Sequence, residues 1–122
     1  MSGINKVILV GHLGKDPEFR TLADDVPVIS FPLATSEYIN KAGVRTEVTE
    51  WHNIVMWRGL AEAGAKQLKK GVLTYLEGKV RTRSFFDKEG IKRHTTEIVA
   101  DQFFRLGLAI DFNPLPEKII ES

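Results

Sequence analysis

The stretch from residue 48 to residue 86, VTEWHNIVMWRGLAEAGAKQLKKGVLTYLEGKVRTRSFF, decides the fold. Both ends are rich in β-branched and aromatic residues, which predicts one strand over 48–58 and a longer one over 72–86. Between them Leu60, Ala61, Gly64, Ala65 and Leu68 recur at helical spacing, so the middle predicts a short amphipathic helix. Lys69 and Lys70 fall in its last turn, where cations suit the helix dipole, and Gly71 is placed to end it.

Working outward, residues 7–10 (Val-Ile-Leu-Val) read as a buried strand closed by Gly11 and Gly14. Asp16-Pro17 and Asp24-Asp25 mark loops. Residues 28–36 alternate, with Ile29, Phe31 and Leu33 on one face, and Pro32 argues for an edge position or a bulge. Asn40 to Gly43 is turn-like. On the C-terminal side, Asp87 to Gly90 forms a hairpin loop and residues 91–104 return as a strand. After Leu106 the pattern decays, and Asn113-Pro114-Leu115-Pro116 reads as extended chain. Five strands with one helix between the third and fourth is the element order of a five-stranded OB-fold barrel, an all-β class. The domain is expected over 1–106, with a short flexible tail over 107–122.

A chain of 122 residues holds one domain with a proper core and is too short for two. No apolar run approaches the length of a membrane span, and no charged-then-apolar leader opens the chain. Cysteine is absent, which removes disulfides, thiolate metal sites and a thiol nucleophile, and a cytosolic compartment fits. The net charge of +1 hides an asymmetry: 66–93 holds nine basic and three acidic residues, a local net of +6. That points to a polyanionic partner, with an ordinary solvated face as the alternative.

Strand side chains alternate between faces, so parity assigns them. Trp51, Asn53, Val55 and Trp57 share one face of the first quoted strand. In the second, Lys79, Arg81, Arg83 and Phe85 share a face, while Leu76, Gly78, Val80 and Thr82 look like core. A basic and aromatic face suits single-stranded nucleic acid, whose unpaired bases stack on aromatic rings while Arg and Lys follow the phosphates. A duplex hides those base faces. Tryptophans buried in the core and arginines on a solvated exterior are the competing readings, since a bulge flips parity.

At this point the chain resembles the bacterial-type single-stranded DNA-binding proteins. The resemblance rests on residues 5–11 (NKVILVG), 13–18 (LGKDPE), 33–37 (LATSE), 49–52 (TEWH), 60–62 (LAE), 75–83 (YLEGKVRTR) and 95–97 (TTE). These motifs appear in order between residue 5 and about residue 106. That family is among those from which the stacking rule was drawn, so the fit to the rule is not independent support. The resemblance implies an OB-fold protomer, a homotetramer and DNA wrapped around the assembly. It implies binding of single-stranded DNA without sequence specificity, protecting it during replication, recombination and repair, in the bacterial cytoplasm at the nucleoid.

Carried over by position, the implied stacking residues are Tyr38 (where Trp is common), Trp51, Trp57 (often Phe) and Phe85 (often Trp). Lys6, Arg20, Lys70, Lys79, Arg81 and Arg83 are the implied phosphate contacts, and Asn53 stands where a basic residue is frequent. The family's chain continues into a Gly-, Pro- and Gln-rich linker ending in an acidic tip that recruits replication and repair proteins. Here the sequence ends Lys118-Ile119-Ile120-Glu121-Ser122, with Glu117 and Glu121 as its acids and no terminal Phe. Tail-mediated recruitment is therefore not expected from this chain.

Rival functions have weaker support. An enzyme would draw on His12, His52 or His94, which fall on three different predicted strands without metal-ligand spacing, so structural histidines are expected and neither metal nor cofactor. Gly11-His12-Leu13-Gly14 lacks the helix and the Gly-Lys-Ser/Thr of a phosphate loop. Asp24-Asp25 reads as a solvated turn. An OB-fold RNA-binding or replication-restart module, and a protein-interaction domain burying Trp51 and Trp57 at an interface, are the remaining alternatives.

Overall fold

Strands with one apolar face need a second surface to bury it against, and a sheet can supply that surface by closing on itself. In the computed structural model, which describes residues 2–107 and 117–120, the sheet does so. The elements are β1 (Val7–Leu13), β2 (Glu18–Leu22), β3 (Val26–Lys41), β4 (Val44–Trp57), α1 (Arg58–Gln67), β5 (Leu73–Phe86), β6 (Lys92–Arg105) and β7 (Glu117–Ile120). Strands β3, β1, β5, β6 and β4 form a ring in that order, and β3 pairs with β4 to complete it. All the ring's contacts are antiparallel except β4 with β6, which run parallel where Ile54 faces Ile98 and Val55 faces Val99. This is the expected five-stranded barrel, with its helix between the third and fourth barrel strands.

The interior is filled by the apolar face read from the sequence, with Ile29, Phe31 and Leu33 buried beside Leu13, Ile54, Met56 and Leu76. Helix α1 packs against β3, and Gly64 lets it approach Ile29 and Met56 closely. It ends at Gln67, earlier than the spacing suggested. Leu68 turns extended (φ −108°, ψ 141°) and buries its side chain, so Lys69 and Lys70 lie beyond the helix. Gly71 has the expected positive φ of 90°, but it serves the turn in which Val72 N–H bonds Lys69 C=O.

Strand β2 has no counterpart in the sequence reading. Its residues are all exposed, so it has no apolar period to read. It pairs with β3 over 26–30, while β1 pairs with β3 at Leu33 and Ala34. Pro32 falls in the gap between these two neighbours, where no N–H is needed and its carbonyl accepts Gly14 N–H at 2.9 Å.

The β3–β4 and β5–β6 pairs are longer than the barrel is tall, and their far halves leave it as two-stranded arms. The expectation that Val80 and Thr82 are core fails here. Leu76 and Gly78 are buried, but Val80 is 39% exposed and Thr82 is exposed, because β5 has passed the barrel rim. The departure is marked by a register shift at Glu77 and Gly78. Residues 117–120, expected within a flexible tail, run as β7 antiparallel to residues 45–48 of β4. That edge of β4 is free because the parallel contact with β6 lies further along, at Ile54 and Val55. The tail positions 108–116 and 121–122 lie outside the described residues. No helix among the described residues is long and apolar enough to cross a membrane.

A Cβ at Gly78 would overlap the carbonyl oxygen of Val99 and press on Ala100 Cα, both backbone atoms that cannot swing aside. Gly78→Ala is expected to destabilise the domain by about 1–3 kcal/mol. Urea denaturation checks this, and an unchanged midpoint would show that the β5–β6 register yields at no cost.

Candidate nucleic-acid interface

The outer face of β2, β3 and β4 is built row by row from cross-strand pairs. Arg20 faces Val28 and Val28 faces Trp57; Glu18 faces Ser30 and Ser30 faces Val55; beyond them Pro32 faces Asn53 and Ala34 faces Trp51. Trp51 and Trp57 thus stand on one face of β4, six residues and roughly 20 Å apart along the strand. The parity assignment holds: Ile54 and Met56 on the opposite face are core.

Two concavities lie along this face. One of about 390 Å³ is lined by Trp51, Asn53, His52, Pro32, Phe31, Ser30, Glu18, Asp16 and Lys15. The Trp51 indole lies against Gly14, where an added Cβ would fall 2.5 Å from the ring, and the tryptophan remains 46% exposed. The second, about 420 Å³, is lined by Arg20, Leu22, Val28, Val55, Trp57, Arg81, Arg83 and Glu97. It brings together four residues singled out from sequence: Arg20, Trp57, Arg81 and Arg83.

Glu97 organises this second concavity; the sequence reading holds it within the motif 95–97 but assigns it no role at the site. Its carboxylate is 3% exposed, accepts a short hydrogen bond from Arg81 Nη2, and lies 3.5 Å from Arg83 Nε. A carboxylate withdrawn from water costs several kcal/mol unless it is paired, and two guanidinium groups do the pairing here. In return both arginines are held on one face. The Arg81 guanidinium lies 5.8 Å from the Trp57 ring and that of Arg83 lies 5.7 Å from Phe85. Two cations against one anion leave a net positive charge beside two aromatic rings. The signal was present as a Glu opposite Arg81 in register, which only strand pairing reveals.

The remaining expected site residues are more scattered. Tyr38 stands on the β3–β4 arm with the Arg45 guanidinium 4.1 Å from its ring centroid. Arg45 reaches it diagonally, since Tyr38 faces Glu47 and Asn40 faces Arg45. Phe85 is exposed on the β5–β6 arm. Lys79 is exposed on the outer face of β5 opposite Val99, outside the concavity. Lys70 is exposed near the Trp51 end, its backbone N–H bonded to Asp16 at 2.8 Å.

Lys6 stands apart on the β1–β5 wall, its Nζ 2.6 Å from Glu77. That bond raises the Lys6 pKa, and the bonds from Lys6 and Tyr75 lower that of Glu77. At the tip of the β5–β6 arm, Asp87 accepts from Arg93 and from the N–H groups of Ile91 and Glu89, which lowers its pKa.

The histidines are engaged separately. His12 Nδ1 is 3.1 Å from Gly71 C=O, His52 Nε2 is 2.8 Å from Thr35 Oγ1, and His94 Nδ1 is 3.0 Å from Ser84 Oγ. Among the described residues no group of three His, Cys, Asp or Glu side chains is placed to hold a metal ion.

Comparison with known proteins bears on the chain as a whole. The model of the Single-strand binding protein family matches residues 4–106, from just before β1 to just past the end of β6. The chain belongs to that family. Among curated relatives in the family, a "Single-stranded DNA-binding protein" of Neisseria meningitidis is 50% identical over 105 residues, covering 85% of this chain. A "Single-stranded DNA-binding protein 1" of Xylella fastidiosa is 44% identical over 115 residues, covering 93% of this chain and 85% of the relative. The chain spans only 60% of the length of the Neisseria relative. A solved structure titled "Plasmodium falciparum SSB complex with ssDNA" superposes with a TM-score of 0.81 at 26% identity, covering 88% of this chain and 98% of that one.

Removing Glu97 leaves two arginines facing each other without their shared anion. Glu97→Ala is expected to lower stability by about 2 kcal/mol, below the usual figure for a buried pair because Arg81 and Arg83 are partly hydrated. Denaturant unfolding measures this. A variant as stable as the parent would show that water already screens the pair.

Proposed function

We propose that this chain binds single-stranded DNA without sequence specificity, laying the strand across the outer face of β2–β3–β4 and onto the β5 arm. The observation that carries the proposal is the concavity in which Trp57 lies beside Arg20, Arg81 and Arg83. Bases stack on Trp51, Trp57, Phe85 and Tyr38, and the arginines neutralise phosphates. Phosphate contacts and ring faces carry no base code, hence the lack of specificity. Lys79 and Lys70 flank this path. Lys6, already paired with Glu77, contributes least of the expected cations.

The role is protective and non-catalytic: the strand is covered during replication, recombination and repair, in the cytoplasm at the nucleoid. The names carried by the relatives and by the solved complex support this reading. Assembly is proposed as a homotetramer. The outer wall of β1, β5 and β6 supports it, since Ile8, Val10, Phe104 and Leu106 are all exposed there beside the Lys6–Glu77 pair. Such a wall suits another copy of the chain.

Titration with poly(dT), poly(U) and duplex, followed by tryptophan fluorescence, tests the proposal. Poly(dT) is expected to quench the emission strongly and duplex hardly at all. Trp51→Ala and Trp57→Ala should each weaken binding by about 1–3 kcal/mol without unfolding the domain. Affinity should fall with salt by about 0.7 per phosphate neutralised, and Arg83→Ala should flatten that slope by one such step. Unchanged affinity in both tryptophan variants would sink the stacking assignment, and stronger binding to poly(U) would favour an RNA partner.

A further inference from the structure

The β5–β6 arm has two faces, and the interface above uses one. Directly opposed residues share a face, so Arg81, Arg83 and Phe85 lie with Glu97, Thr95 and Arg93. The other face carries Thr82, Ser84 and Phe86 opposite Thr96, His94 and Lys92. We propose that this second face is a further single-strand binding surface, with Phe86 as its stacking platform and Lys92 as its phosphate contact. This rests on the single-strand binding proposed above and extends the path around the tip of the arm.

Three observations carry it. Phe86 is 71% exposed, an unusual position for a phenyl ring on a ribbon whose remaining side chains on that face, from Thr82 outward, are polar. None of the six residues on the face is acidic, and the arm's ion pairs, Arg81 and Arg83 with Glu97 and Arg93 with Asp87, all involve arginines of the first face. The hydroxyl-bearing pairs Thr82–Thr96 at 3.3 Å and Ser84–His94 at 3.0 Å line the track between Phe86 and the barrel with hydrogen-bonding groups. An aromatic ring, an ammonium with no ion pair among the described residues and a row of hydroxyls fit a stacked base followed by phosphates.

A second copy of the chain is the poorer occupant. The wall suited to that carries four exposed apolar residues, Ile8, Val10, Phe104 and Leu106, whereas this face carries Phe86 at its tip and the part-exposed Val80 at its base, separated by polar pairs. Phe85 and Phe86 are consecutive and point to opposite sides, so a strand leaving the first ring reaches the second by rounding the hairpin.

The test compares a short strand of about eight nucleotides, which fills the groove but cannot round the tip, with one of about thirty, on the intact chain. Phe86→Ala and Lys92→Ala are each expected to lower the ratio of long-strand to short-strand affinity, Phe86→Ala by at least about fivefold. Lys92→Ala should also flatten the salt slope by about 0.7 for the long strand alone. Phe86→Trp keeps a ring in place and should add quenching only with the long strand. Both side chains are exposed, so circular dichroism should show folded variants; Phe86→Trp gives the readout if truncation perturbs the tip.

Equal ratios in all variants, with normal binding by the parent, would overturn this inference and leave the groove intact. A parent that binds neither strand would overturn both. A change in sedimentation mass in Phe86→Ala would show instead that the face joins two copies, and would overturn it as well.

Discussion

The parallel contact of β4 with β6 at Ile54–Ile98 and Val55–Val99 is short, yet the architecture depends on it. It joins the two ends of the sheet, so every barrel strand acquires a neighbour on both edges and the apolar faces close around one core. Closure also limits what can be buried. A strand of fourteen or sixteen residues, the lengths of β4 and β3, runs roughly 45–50 Å, more than a small five-stranded barrel can enclose. The excess must leave as ribbons with both faces in solvent. Long arms are therefore a consequence of long strands on a small ring, and Tyr38, Phe85 and Phe86 stand on those arms.

Where the wall passes into the β5–β6 arm, the structure spends a buried carboxylate. Glu97 could hardly be there for stability alone, since replacing a buried ion pair with well-packed apolar residues is often neutral or favourable. Its effect is positional. Arginines on a bare ribbon would spread over many rotamers and lose entropy on meeting a phosphate. Arg81 and Arg83 are instead already drawn together, each with an aromatic ring within 6 Å. Arg81 Nε is buried without a hydrogen-bond partner among the described residues, a local cost consistent with an arrangement serving more than packing.

Alternation made the barrel legible in the sequence wherever one face was buried. Ile29, Phe31 and Leu33, and likewise Trp51 and Trp57 against Ile54 and Met56, could be assigned because a period of two leaves a mark. The mark fails where both faces are wet. Strand β2 is wholly exposed and leaves no pattern, and Val80 and Thr82 continue the inner parity of β5 after there is no interior left to face. The helix end was misplaced because Leu68 keeps the helical spacing yet reaches the core from an extended backbone. Glu97 and Arg45 were illegible for another reason: each acquires its role from a cross-strand partner, and pairing register is a tertiary fact.

Charge shows the same limit more sharply. The +6 of residues 66–93 looks like a single basic patch along the chain, but the fold distributes it. Lys66, Lys69 and Lys70 lie in and just beyond α1, Lys79, Arg81 and Arg83 on the outer face of β5, and Lys88, Lys92 and Arg93 at the arm's tip. The second concavity holds Arg20, Arg81 and Arg83 against Glu97, a net of +2. So few charges, at about 0.7 of a counterion released per phosphate, give a modest salt-dependent term. On the binding proposed above, aromatic rings, each worth about 1–3 kcal/mol against a stacked base, would then supply the larger share of affinity at the groove. A surface so weighted favours unpaired bases over the phosphates that duplex and single strands have in common, and that weighting, rather than total basicity, separates a single-strand binder from a general polyanion binder.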